Sequence, residues 1–418
     1  MEEKEQTKEE KIRALTLLYY SRPEIQQALL AFAPEREVVP RYFEGFGKRP
    51  DILQYPSDIK GLVMKGATSF HASEERWKDP LALTTGNPPE EMNANRKGWD
   101  LVLDIDSPFL DCSRIAAQLV IAMLEHFGIA HYGLKFSGSK GFHLIVPWEA
   151  FPAEYQGMRA HSSFPEWPKA ITLFIMHYIR QDYNRRAADV LSNVVALSER
   201  TRLTQEELLE VYCLSCTRPA QKGIVCSVRC PLCQLETEKR NPLGERRMRC
   251  ITAGCPGYFE QSEKKDYWFC TQCKDPTHPT LALDSLRHPD RFDKQKQVSA
   301  AKVAALDVVL VSSRHLFRMP YSLHEKTRLA SCVLTKEQLA LFSPRDADPL
   351  TIQPKPFLPS SLPGEAKHLL AAALEWKRGQ EKEEQIHAPH SASLTGERTA
   401  LVGVTDALFP APIKKLLE

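Results

Sequence analysis

Asp104 and Asp106 stand two residues apart in the apolar run Leu101-Val-Leu-Asp-Ile-Asp106. A strand projects residues i and i+2 to one face, so the two carboxylates point together while Leu101, Leu103 and Ile105 anchor the opposite face in a core. Two convergent carboxylates suit a hard divalent cation. Mg²⁺ commonly binds through one or two carboxylates plus substrate phosphates, so an element able to hold a polyphosphate is expected nearby. Phe136-Ser-Gly-Ser-Lys-Gly-Phe-His143 fits that requirement. Gly138 and Gly141 permit a tight backbone with exposed N–H groups, Lys140 supplies a point charge, and Ser137, Ser139 and His143 can donate to phosphate oxygens. Each element alone has a plainer reading, as a solvated strand end or a surface turn. Carboxylates on one strand followed by a phosphate cradle at the head of another predict nucleotidyl transfer.

Nine of the eleven cysteines fall between Cys213 and Cys273, with only Cys112 and Cys332 elsewhere. The chain opens Met1-Glu-Glu-Lys-Glu rather than with a basic and then apolar leader, so this crowding argues for metal rather than disulfides. Cys230-x2-Cys233 and Cys250-x4-Cys255 are separated by sixteen residues, and Cys213-x2-Cys216 and Cys270-x2-Cys273 flank them. Paired cysteines on two short turns aim four thiolates at one point, as a tetrahedral structural Zn²⁺ requires. Nested pairing into two sites is the first expectation and sequential pairing the alternative. Cys226 is left over, and His278 is a substitute ligand. Four thiolates leave no open position, so such zinc would stabilise the fold rather than do chemistry.

The surrounding elements are expected to form an α/β (α+β) fold, with mixed sheets, flanking helices, an inserted cysteine-rich zinc module and a helical C-terminal extension. Residues 1–35 read as one or two short helices, and Pro40 to Pro56 as an extended entry segment. Strand material follows around Leu62-Val-Met64 and Thr68-Ser-Phe70. An amphipathic helix over 111–127 precedes strands near His131 to Phe136 and at Leu144-Ile-Val-Pro147, and residues 166–200 look helical. After the cysteines, Pro276 to Asp290 reads as a polar connector, Phe292 to Leu306 as helical and Val308 to Val311 as a strand. A Pro-rich stretch beyond Leu350 leads to a helix from Gly364 to about Gln385. Residues 386–400 read as a linker, and Leu408 to Glu418 as a docking peptide or the first turn of a further domain. The expected division is 1–35 helical, 36–205 catalytic core, 206–280 zinc insertion, 281–348 core resumed, and 349–418 linker, helix and tail.

At 418 residues and 43% hydrophobic, the composition is that of a globular chain with room for two or three domains. No apolar stretch approaches the roughly 18 residues that span a bilayer, so no membrane partner is expected. The net charge of +2 neither demands nor excludes nucleic acid. Basic residues do cluster at Lys239-Arg240, at Arg246 to Arg249 and along Arg314 to Arg328.

A third carboxylate would complete a two-metal site. Asp307 is placed for it at the start of an apolar run, and Arg318 and His324 follow in Arg314-His-Leu-Phe-Arg-Met-Pro-Tyr-Ser-Leu-His324 as donors for phosphate or sugar oxygens. In this order, Asp104-Ile-Asp106, Ser137-Gly-Ser-Lys-Gly-Phe-His143 and the block from Leu306 to His324 resemble the catalytic (small) subunit of archaeal and eukaryotic DNA primases, within the primase-polymerase superfamily. The resemblance covers roughly residues 35 to 345. It implies that Asp104, Asp106 and Asp307 hold two Mg²⁺ or Mn²⁺ ions, that Ser137, Gly138, Lys140, His143 and Arg318 bind the triphosphate, and that His324 lies near the incoming nucleotide. It implies a single-stranded DNA template and nucleoside triphosphates as partners, and a primase large subunit or a C-terminal domain outside this chain as a further one. The expected location is the cytoplasm, at the nucleoid, or the nucleus of a eukaryote. The zinc module is larger than in many primases and follows the second motif instead of lying near the first. The alternatives are a primase-polymerase that mainly extends primers in repair or damage tolerance, and an inactive nucleic-acid-binding zinc protein.

Overall fold

The computed structural model describes residues 8–387 apart from 44, 85, 192–196, 200–203, 205–207, 217, 241–247, 294–296, 299–306 and 309–311. Residues 1–376 form one compact unit and the stretch from Lys377 a second. Helices α1 (Lys8–Tyr20) and α2 (Pro23–Phe32) open the chain. Pro23 sits in the first turn of α2, where its missing N–H costs nothing, and Ile25 and Leu29 face the core. Strand β1 (Val38–Arg41) leads to α3 (Pro56–Met64). The Asp58 carboxylate caps that helix by accepting the N–H groups of Gln54 (3.0 Å) and Tyr55 (2.8 Å). Leu62-Val-Met64, expected as strand, is therefore the last turn of α3. Its burial is helical: Ile59 and Val63 are covered while Met64 stays exposed.

Strand β2 (Ser69–Ser73) is followed by β3 (Glu75–Trp77), α4 (Pro89–Asn95) and β4 (Arg96–Trp99), then by β5 (Leu101–Asp106), α5 (Leu110–His126), β6 (Gly133–Phe136) and β7 (Phe142–Val146). The chain leaves β5 through α5 and returns as β6 one place beyond its neighbour, so β7 enters between them, antiparallel to both. Leu101, Leu103 and Ile105 are buried, and α5 adds Leu119, Val120, Met123 and Leu124 to the same core. After the short pair β8 (Glu154–Tyr155) and β9 (Met158–Arg159), α6 (Glu166–Val190) packs Trp167, Ile171, Ile175 and Ile179 inward.

The cysteine region builds its own sheet. It runs through β10 (Leu209–Glu210), β11 (Gln221–Arg229), β12 (Glu236–Arg240), β13 (Glu260–Lys274), β14 (Ala282–Asp284) and β15 (Gln297–Val298), with order β12-β11-β13-β14. Strand β10 pairs with β15 and Cys213 bridges Phe292, so the outgoing and returning chains run side by side. The connector expected over Pro276 to Asp290 contains β14, which completes this sheet. The helix expected over Phe292 to Leu306 is interrupted by β15, because its return path is bound by ladder hydrogen bonds to β10. Residues 294–296 and 299–306 of that segment, residues 309–311 of the expected strand, Arg246 and Arg247 of the basic cluster, and Leu408 to Glu418 lie outside the described residues.

Strand β16 (Asp307–Val308) adds to the far edge of β5, β17 (Leu316–Arg318) pairs with β2, and β18 (Val333–Leu334) pairs with β6. Helix α7 (Lys336–Leu341) starts at Thr335, whose hydroxyl accepts from Gln338 N, and α8 (Lys367–His387) closes the described chain. Glu37, fully buried, gathers Arg49 (2.8 Å) and Arg314 (2.7 Å) and so ties the approach to β17 onto β1. The architecture is α+β, and the strand pairings among the described residues are antiparallel. No described helix is long and apolar enough to cross a membrane.

Candidate functional site

Register brings the first group together. His143 on β7 is the partner of Asp104 on β5 and of Lys135 on β6, so three side chains from adjacent strands lie in one row on one face. His143 Nε2 lies 3.2 Å from Asp104 Oδ1, and Lys135 Nζ lies 2.8 Å from His143 Nδ1. A carboxylate only accepts, so Nε2 of the neutral ring carries the proton and Nδ1 accepts from Lys135. Lys135 also donates to Ser331 Oγ (2.7 Å), whose own hydroxyl donates to Phe136 O (2.6 Å). Burial, then the nearby charge of Arg318, holds Lys135 well below the usual lysine range. Burial and Lys135 likewise lower His143, which favours the neutral ring. Burial alone would raise Asp104, but His143 and Lys135 outweigh it and keep the carboxylate ionised.

The loop between β6 and β7 is pinned at both ends. Ser137 N donates to Gly141 O (2.9 Å), and Ser137 Oγ accepts from Gly141 N (3.1 Å). Gly138 has φ +100°, and a Cβ there would come 2.7 Å from His324 Cβ. A Cβ on Gly141 would come 2.6 Å from Ile105 O and 3.1 Å from Asp106 Oδ1. Both positions therefore need glycine, and the loop lies against the end of β5 that exposes Asp106. Lys140 is exposed on the same loop.

Asp307 pairs with Asp106 across β16 and β5, so the backbone sets the third carboxylate position opposite the second. Its side chain lies outside the described residues. Arg318 on β17 is opposite His71 on β2 and donates to Leu323 O (2.7 Å) and Glu325 Oε2 (2.7 Å). His324 Nδ1 accepts from the N–H groups of Lys326 (3.2 Å) and Thr327 (3.3 Å); burial and then Arg318 push this imidazole down to about 4.

Several groups at this site were not singled out from the sequence: Lys135, His71, Arg41, Glu325 and the pair Glu74–His315. Lys135 had a signal, since it lies two residues before Ser137 on a strand. The others are joined only by tertiary contacts. His71 is buried, its Nε2 3.2 Å from Ser69 Oγ and its ring edge-on to Phe46. Glu74 Oε1 accepts from His315 Nδ1 at 2.7 Å, while its buried Oε2 makes no hydrogen bond among the described residues. Burial raises Glu74, and the hydrogen bond to Glu74 raises His315.

Two thiolate clusters lie on the turns and on β13 of the cysteine region. Cys213, Cys216, Cys270 and Cys273 form one and Cys230, Cys233, Cys250 and Cys255 the other, each with its sulfurs within 4.8 Å of one another. The separations Cys216–Cys270 (3.5 Å), Cys213–Cys273 (4.0 Å), Cys230–Cys255 (3.7 Å) and Cys233–Cys250 (3.4 Å) compare with the edge of about 3.8 Å for a tetrahedron with Zn–S bonds of about 2.3 Å. Each tetrad could hold zinc. The arrangement is nested: the outer pairs share one site and the inner pairs the other. Cys226 is buried beside Val228 and Phe259 and belongs to neither, while His278 is exposed and bonds Thr277 Oγ1 instead (2.9 Å).

No family model matches the chain. Over 118 residues it is 26% identical to an uncharacterized protein of Methanocaldococcus jannaschii, a match covering 28% of this chain and 25% of that one. The chain thus spans about a quarter of that relative's length. Among solved structures it is similar to the polymerase domain of Mycobacterium tuberculosis ligase D in complex with DNA, with 12% identity, coverage of 87% of this chain and 89% of that one, and a TM-score of 0.34.

Proposed function

We propose that this chain is a DNA-directed primase-polymerase that synthesises primers on single-stranded DNA from nucleoside triphosphates. The observation that carries this reading is the double register of β5, which sets Asp104 beside His143 on one side and Asp106 opposite Asp307 on the other. Oxygen donors grouped at one strand end beside a glycine loop suit Mg²⁺ or Mn²⁺, with Asp104, Asp106 and Asp307 as the holders. When bound, such ions lower the pKa of the attacking 3′-hydroxyl and neutralise charge on the triphosphate.

The protein groups do the rest. Asp104 and Lys135 fix the His143 ring between them, and its Nε2–H, given to Asp104 Oδ1 in this structure, passes to a phosphate oxygen when the Asp104 carboxylate turns to a metal ion. Ser137, Gly138 and Lys140 cradle the phosphates from the loop, Arg318 supplies a fork of donors, and His324 stands beside the incoming nucleotide. The two cysteine tetrads hold structural Zn²⁺. A primase large subunit, or a domain outside this chain, would assist initiation.

The test is synthesis on an unprimed single-stranded template with labelled ribo- or deoxyribonucleotides and Mg²⁺ or Mn²⁺, beside the same template carrying a primer. Products without a primer that vanish in Asp104→Ala/Asp106→Ala support a primase. Extension only from a primer points to a polymerase that leaves initiation to a partner. Silence in both lanes overturns the enzymatic reading in favour of a nucleic-acid-binding zinc protein.

A further inference from the structure

Arg41 and Arg318 come from the two outer strands of the sheet β1-β2-β17 and converge on one carboxylate. Glu325 Oε2 lies 2.7 Å from Arg318 Nη2, and Glu325 Oε1 lies 3.6 Å from Arg41 Nε. Arg318 is buried, and Arg41 Nε is a buried donor with no hydrogen-bond partner among the described residues. The Arg41 guanidinium also lies over the exposed Phe46 ring at 5.1 Å. Two guanidinium groups offer ten N–H donors in planar forks, more than one carboxylate can satisfy.

The position of Glu325 makes it removable. It follows His324 in the turn that packs on Gly138, and its neighbours Lys326, Thr327 and Arg328 are exposed. That turn is held by its own bonds, His324 N to Leu329 O (2.9 Å) and Arg328 N to His324 O (2.7 Å), so the Glu325 side chain can rotate away without unravelling it. The oxygens of a carboxylate and of a phosphate present the same acceptor geometry to a guanidinium fork, and a polyphosphate presents more of them with more charge.

We propose that Arg41 and Arg318 form a phosphate subsite for the triphosphate tail of the incoming nucleotide, and that the Glu325 carboxylate occupies it as an internal stand-in until the triphosphate displaces it. The inference rests on the assignment of Arg318 to the triphosphate and adds Arg41 as a ligand and Glu325 as a competitor.

The test is titration of the full chain with inorganic tripolyphosphate by calorimetry, for wild type, Glu325→Gln, Arg41→Ala and, as a charge control, the exposed Glu263→Gln of the inserted sheet. Glu325→Gln is expected to bind about threefold to tenfold more tightly than wild type, Arg41→Ala to bind more weakly by a similar factor, and Glu263→Gln to match wild type. Unchanged or weaker binding by Glu325→Gln, or an equal gain in Glu263→Gln, overturns the proposal. Should Glu325→Gln fail to fold, unchanged binding by Arg41→Ala overturns it. Tighter binding in Glu325→Gln with no templated synthesis by wild type would leave the subsite standing and remove the polymerase reading. Synthesis without any Glu325 effect would do the reverse.

Discussion

Lys135 Nζ lies 2.8 Å from Nδ1 of His143, and the lysine is wholly buried on β6 of the sheet that carries Asp104. A buried lysine is tolerated there because its donors are engaged by His143 and Ser331. Its consequence is geometric: the ring is held with Nε2–H toward Asp104.

Lys135→Met, which keeps length and removes the donor, is expected to stay folded, since an apolar side chain replaces a buried cation. Nucleotide incorporation should fall about tenfold to a hundredfold, as when an outer partner of a site histidine is lost. Steady-state kinetics beside thermal melting checks this. An unchanged rate in a folded variant would show that the lysine does not position His143.

Gly141→Ala should displace the loop from the end of β5, because the new methyl meets Ile105 O at 2.6 Å. The expected result is a loss of incorporation with zinc content unchanged. Metal analysis of the same preparation separates a local effect from general misfolding.

Zinc content should be two per chain, falling to one in Cys213→Ser or Cys230→Ser and staying at two in Cys226→Ser and His278→Ala. Strong chelation should lower the melting temperature, since structural metal binding contributes directly to folding. Elemental analysis of the four variants would decide the ligand sets; loss of a metal from Cys226→Ser would contradict them.

The His315–Glu74 contact gives a pH prediction with a definite sign. Hydrogen bonding to Glu74 raises His315 above the ordinary imidazole value against the opposing effect of burial. Its stabilising contribution is therefore complete below the unfolded value of about 6.5 and is lost as pH rises through the higher folded value. The stability difference between wild type and His315→Gln should be larger on the acid side of about pH 6.5 and shrink as the pH rises above it. Melting curves across that range test it, and a difference that grows with pH would reverse the assignment.

Residues close together in the chain were legible from the sequence. The i, i+2 carboxylates of β5, the glycine loop from Ser137 to His143, the amphipathic α5 and the Cys-x2-Cys turns all express periods that the backbone imposes on one face or one turn. A short apolar segment was less legible. Leu62 to Met64 suits either period, and the helix start at Pro56 and Asp58 decided it. Likewise β14 and β15 exist because the inserted sheet and its base supply partners for their backbones.

What only the tertiary structure decided is pairing between distant residues. The spacing of eight cysteines permits nested and sequential sites alike, and the closure of β11, β12, β13 and β14 selects the nested one. Lys135 beside His143, Glu74 beside His315 and Glu325 between Arg41 and Arg318 depend on strand register and on turns that bring separate strands together. The physical reason is that periodicity fixes which way a side chain points from its own element. Which other side chain it meets is set by how elements pack, and that is a property of the whole buried core.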